Sequence, residues 1–199
     1  MLLLVPLVLI VALVPGCIPV TEPLSDPNKA EPDKGLIGTW HGRSLLGDFG
    51  DCVIDSPDVK GNPKGLMRAV WHKEKANDLT TFWFFSTKID KNTYATICLE
   101  SRGDELEWAD FREEGAFKKW NKGDRRYYIW WYKLDGDKFT LNYMDREDMK
   151  NLWRAENKIE DAGSYFKTPP GWLAKYLEKN GPETLYDGTY KAEWVRAKK

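Results

Sequence analysis

The tract RYYIWWYKLDGDKFTLNYM, residues 126–144, restricts this chain more than any other stretch. It holds two β-prone runs joined through Asp135-Gly136, a strong signal for a tight hairpin. Counting outward from that two-residue turn opposes Tyr132 to Phe139, Trp130 to Leu141 and Tyr128 to Tyr143, so one face is apolar throughout. The same register sets Lys133 against Lys138, a mild repulsion. A three-residue loop would relieve it but spoil the apolar face. The opposite face of the first run, Tyr127, Ile129 and Trp131, is apolar too, whereas a sheet with one wet side needs only one such face. This surplus face is a candidate for lining a ligand cavity, stacking on sugars or meeting a partner protein. Packing beneath helices is the reading we favour.

Further strand candidates cover residues 36–41, 51–54, 66–73, 80–89 and 92–100, with 189–196 closing the chain. In the fifth, Ala95, Ile97 and Leu99 share one face, and Tyr94, Thr96 and Cys98 the other. Asp145 can cap a helix over 146–158 that carries Met149, Leu152 and Trp153 on one stripe. Thr168 suits the N-cap of another, with Pro169 at its first position and Gly181-Pro182 as its stop. Residues 101–126 read either as a long hairpin tip or as a short amphipathic helix. The expected architecture for residues 35–199 is mainly β: an antiparallel barrel, or a strongly curved meander, with two short helices near the C-terminus; Gly38-Thr39-Trp40 in the first strand resembles a lipocalin opening and so implies a lipocalin-like barrel. Closure into a barrel removes free strand edges.

The opening run MLLLVPLVLIVALV is uncharged and has about the length of a signal-peptide core, short of the ~20 residues of a spanning helix. Behind it, Gly16-Cys17 resembles the end of the lipobox in bacterial lipoprotein signals. The resemblance implies that residues 1–16 are cleaved and that Cys17 is acylated, with palmitate among its chains. Several chains at ~0.8 kcal/mol per buried CH₂ hold a protein firmly on a membrane. A secretory signal without lipid and an uncleaved anchor are the alternatives. The implied location is the bacterial cell envelope, and Ile18 after the cysteine fits the outer membrane if the cell is Gram-negative. Residues 17–34, with Pro19, Pro23, Pro27 and Pro32, read as the lipidated cysteine and a tether.

Gly38-Thr39-Trp40 resembles the Gly-x-Trp opening of lipocalins. The resemblance implies that Trp40 plugs one barrel end against a basic residue from a late strand, for which Arg196 is the candidate. More widely, Cys17-Ile18-Pro19-Val20, Pro23-Leu24-Ser25-Asp26-Pro27 and Leu36-Ile37-Gly38-Thr39-Trp40 resemble the opening of a group of bacterial lipoproteins without an assigned activity. Those also end in a short helix and a strand.

With Cys17 lipidated, Cys52 and Cys98 remain. A disulfide between them would close a loop of about 46 residues for ~3–4 kcal/mol; the alternative is two separate buried thiols. The chain carries 30 basic and 31 acidic residues, which supplies no electrostatic reason for a nucleic-acid partner. His41 and His72 lack triad context and read as structural or exposed. The acidic cluster before residue 115 is followed by a basic run and reads as a solvated loop. No motif for a metal or cofactor stands out. The expected function is a membrane-anchored, non-catalytic binding module for a small apolar ligand or glycan. The alternatives are a structural or assembly lipoprotein acting through protein contacts and, last, a carboxylate-dependent hydrolase.

Overall fold

The computed structural model describes residues 19–44, 48–74, 79–102, 105–156, 158–186, 188 and 190–198; the lipobox and Cys17 lie outside them. Among the described residues, strands β1 (Gly38–Arg43), β2 (Phe49–Asp55), β3 (Leu66–Lys73), β4 (Leu79–Ile89) and β5 (Asn92–Arg102) form a meander. The ring continues through β7 (Arg125–Asp135), β8 (Lys138–Tyr143) and β11 (Lys191–Arg196). β11 pairs with β1, and β4 with β5, which closes an eight-stranded antiparallel barrel. Short β6 (Glu105–Trp108) joins β5 at Leu99↔Trp108, beyond the point where β4 leaves it at Phe84↔Ile97. The helices are α1 (Ala116–Trp120), α2 (Arg146–Glu156) and α3 (Trp172–Asn180), and β9 (Glu160–Asp161) pairs with β10 (Phe166–Lys167). Residues 101–126 thus supply both a strand and a short helix, and α2 and α3 are the two helices expected near the C-terminus.

The central hairpin forms, but its turn sits one residue later than expected. Asp135 pairs with Lys138, so the turn is Gly136-Asp137, with Gly136 at φ 57°. Partners shift by two: Leu134 meets Phe139, Tyr132 meets Leu141 and Trp130 meets Tyr143. A shift of two keeps every side chain on its face. It also replaces the Lys133–Lys138 repulsion by an Asp135–Lys138 pairing of opposite charges.

Two hydrophobic cores share one wall. The inner core lies inside the barrel and takes alternate residues of β5 and β7, among them Ala95, Ile97, Trp130 and Tyr132. The outer core takes the intervening residues Tyr94, Cys98, Tyr127, Ile129 and Trp131 and covers them with Met149 and Leu152 of α2, Leu173 and Leu177 of α3, and Phe111, Phe117 and Trp120. The Asp145 carboxylate accepts from Glu147 N–H at 2.5 Å, as its capping role requires. Thr168 is not the cap of α3: Gly171 occupies that position, and buried Thr168 donates its backbone N–H to Thr21 Oγ1 at 3.1 Å.

The proline-rich segment expected to act as a tether is docked on the outer core from Val20 onward. Val20 is fully buried and exchanges two backbone hydrogen bonds with Tyr127, each 2.9 Å long. Ser25 and Thr87 hydroxyls meet at 2.7 Å, and Tyr132 donates to the Asp33 carboxylate at 2.7 Å. A chain that replaces water at so many polar and apolar groups does not remain free.

One barrel end is closed by Trp40, which is fully buried and donates its indole N–H to Leu36 O at 2.7 Å. The Arg196 guanidinium lies over its ring at 4.2 Å and donates to the carbonyls of Gly35 at 2.7 Å and Ile37 at 2.9 Å. The structure therefore brings Trp40 and Arg196 together. Gly38 is required beside them: its φ is +143°, and a Cβ would stand 2.6 Å from Arg196 Nη1. Arg196→Ala removes a cation–π contact and two charge-assisted hydrogen bonds, so we expect a loss of about 1–3 kcal/mol in urea unfolding. Gly38→Ala is expected to destabilise as well. Stability within ~0.5 kcal/mol of the parent for Arg196→Ala would dismiss the plug as an energetic feature.

Candidate binding cavity

The inner core does not fill the barrel. A cavity of about 130 Å³ runs from the plug, where Leu36 and Phe139 line it, toward the opposite end at Ser44 and Thr80. Its side walls include Trp71 on β3, Phe84 on β4, Ile97 on β5, Trp130 on β7, Leu141 on β8 and Trp194 on β11. The alternation of each strand turns these residues inward and their sequence neighbours outward, which on β4, β5 and β7 puts Trp83, Phe85, Cys98, Ile129 and Trp131 into the outer core. The hydroxyls of Ser44, Thr80 and Tyr143, the Cys52 thiol and the tryptophan indole N–H groups are the polar exceptions, and no charged side chain among the described residues lines the space.

Among the described residues, the end opposite the plug is aromatic. Phe82 packs on Trp108 at 5.8 Å and on Trp130 at 5.7 Å, and Trp108 packs on Tyr128 at 6.0 Å. Trp108 is 39% exposed there, with Leu79 and Phe49 exposed nearby at the same barrel end. Deeper, Trp71 and Trp194 meet edge to face at 4.5 Å, as do Trp130 and Tyr143 at 4.9 Å. The indole nitrogens of Trp130 and Trp194 are buried without a hydrogen-bond acceptor. Edge-to-face neighbours set the positive edge of one ring against the negative face of the next, which partly compensates such groups.

The surplus face offered as a ligand or partner face, Tyr127, Ile129 and Trp131, lies on the other side of the wall. All three are buried in the outer core; Tyr186 donates to Ile129 O at 3.1 Å and packs on Trp131 at 6.0 Å. The outer face is thus sealed by the chain itself, and the space available to a ligand is lined by the alternate residues. Reading β7 alone shows that both faces are apolar but not which one closes on a cavity. The aromatic run from Phe82 to Phe85 is open to the same cavity reading, whereas Trp71, Trp108 and Trp194 come from three further strands, and only barrel closure brings them to Phe82.

Cys52 and Cys98 are free thiols, one in the inner core and one in the outer. The wall separates them, so the disulfide alternative is excluded by geometry. Burial pushes the Cys52 thiol from its ordinary 9.0 up to about 12, and raises Cys98 as well. His41 sits on the outer surface, its Nδ1 2.9 Å from an Asp51 carboxylate oxygen and its Nε2 3.8 Å from Glu74, all half-exposed. Among the described residues no group of three metal-ligating side chains forms.

No protein-family model, curated protein or solved structure matches the chain.

Both thiols are expected to stay unmodified by a charged thiosulfonate reagent at pH 8 and to react fully in denaturant. Rapid labelling of either in the native protein would contradict the burial described. Stability should also fall as pH rises above about 9. The unfolded thiols then release protons that folded Cys52, with its value near 12, retains, so the unfolded state is favoured. Urea midpoints at pH 8 and pH 10.5 check the sign.

Proposed function

We propose that the chain is a bacterial envelope lipoprotein, anchored through Cys17, whose barrel binds a small apolar ligand without catalysis. The observation that carries the binding part is the cavity of about 130 Å³ walled by aromatic and aliphatic side chains. A glycan is disfavoured at this site, because each of its hydroxyls would lose water and find few partners on such a lining. The anchoring part rests on the uncharged opening run and Gly16-Cys17. Val20 is docked only three residues beyond Cys17, so a lipidated cysteine would hold the barrel within about 10 Å of its anchor rather than on a long leash.

The assembly reading has its own support in the outer wall of β1, β2 and β11. Val53 and Val195 are 44% and 48% exposed there, without the covering layer found over β5 and β7. Phe49 of β2 is 48% exposed on the same face, but these side chains stand beside exposed His41 and Asp51 and enclose no space, so ligand binding ranks first.

Tryptophan emission should shift saturably when the full chain is titrated with toluene or n-hexanol, and stay unchanged with maltohexaose. A flat response to both apolar compounds would end the binding reading. For the anchor, Cys17→Ser is expected to lose incorporated palmitate and leave the membrane fraction for the soluble one. Retention of the label by the variant would remove Cys17 as the acylated residue.

A further inference from the structure

Resting on the apolar-ligand reading, we propose that the cavity selects an uncharged compound built on a single six-membered ring, admitted between Phe82 and Trp108. Size comes first. An engineered cavity of about 150 Å³ lined by aliphatic and aromatic residues takes up benzene, and the space here is about 130 Å³. One ring with a small substituent fits; a long acyl chain would leave most of its length outside. Shape comes next. Trp71, Trp130, Trp194 and Phe84 wall the space, and the perpendicular Trp71–Trp194 pair offers both a ring face and a ring edge. Aromatic contacts of this kind add to burial in a way that aliphatic chains do not reproduce. Charge is the third discriminator. With no cation or anion among the described lining residues, an ionised ligand would be desolvated without a partner.

The way in follows from the topology. Backbone pairing of β4 with β5 ends at Phe84↔Ile97, and β6 pairs with β5 from Leu99↔Trp108. No strand ladder joins β4 to β6 among the described residues. Phe82 and Trp108 face each other across that gap at 5.8 Å, and Trp108 is partly exposed. Side-chain rotation therefore opens a path without breaking a backbone hydrogen bond.

The test is a calorimetric and thermal-unfolding titration of the full chain with toluene, cyclohexane, benzoate and tetradecanoate. Toluene and cyclohexane are expected to bind saturably and to raise Tm by about 5–10 °C at a hundredfold excess over Kd. Benzoate and tetradecanoate should bind at least tenfold more weakly. Ala95→Leu places three further carbons in the cavity and should weaken toluene at least tenfold with the circular dichroism spectrum retained. If that variant does not fold, Leu141→Phe is read in the same way. Tetradecanoate binding as tightly as toluene overturns the single-ring inference while the apolar-ligand reading stands. Benzoate doing so overturns the requirement for neutrality. Toluene affinity unchanged in a folded cavity-filling variant places the site elsewhere. Absence of saturable binding by all four compounds overturns the apolar-ligand reading itself.

Discussion

Along β7, Tyr127, Ile129 and Trp131 alternate with Tyr128, Trp130 and Tyr132, and water has to be excluded from both sides of that strand. Burying each such side chain contributes ~1.5–3 kcal/mol. The five that are buried, all but half-buried Tyr128, together reach the scale of the net stability of a typical domain, ~5–15 kcal/mol. A sheet with a wet face is therefore closed to this sequence. The inward residues require a second wall, and the curled strands supply it by closing at β1–β11 and β4–β5. The outward residues require a lid, and α2, α3 and the segment from Val20 supply that. Architecture outside the barrel thus answers the same constraint as the barrel itself.

The two ends of the barrel are finished differently, and this determines where a ligand space can exist. At one end Trp40 is held from below by Leu36 O and from above by Arg196, whose guanidinium also ties down the carbonyls of Gly35 and Ile37. The Trp40 indole, the Arg196 guanidinium and the carbonyls of Gly35, Leu36 and Ile37 all have partners there, so the end is shut. At the other end β4 departs from β5 and β6 fills only part of the gap. Among the described residues, Phe82, Trp108 and Tyr128 stand across that gap, and side chains move more readily than paired backbone.

Much of this was legible in the sequence, and the failures have physical causes. Alternation placed Ala95 and Ile97 opposite Tyr94 and Cys98 correctly, because the two-residue period is a property of the strand alone. The hairpin at Gly136 was legible as a hairpin but not in register. The choice between neighbouring turns depends on a cross-strand charge pair as well as on glycine placement. The docked segment from Val20 was not legible. Prolines mark it as extended chain, yet its hydrogen bonds to Tyr127 and its contact with Thr168 are made across more than a hundred residues. The pairing of Trp40 with Arg196 was reached only through a three-residue resemblance, since the two lie at opposite ends of the domain. For the cavity, residue types show which faces are dry but not whether facing walls meet.

Why the walls fail to meet is a question of stiffness. Trp71, Trp130 and Trp194 are planar and lock one another edge to face with neighbouring rings, whereas Ala69, Ala95 and Ala192 are too short to reach across. Collapse would require tilting indoles out of their contacts and bending a closed ring of hydrogen-bonded strands, so the gap persists. At ~24 cal/mol per Å³, an empty space of about 130 Å³ costs roughly 3 kcal/mol, a substantial part of a domain's net stability. One larger aliphatic residue at Ala95, which lines the space, would reclaim much of it. On the binding reading, a ligand supplies the missing contacts instead, and the cost of the cavity becomes part of the driving force for filling it.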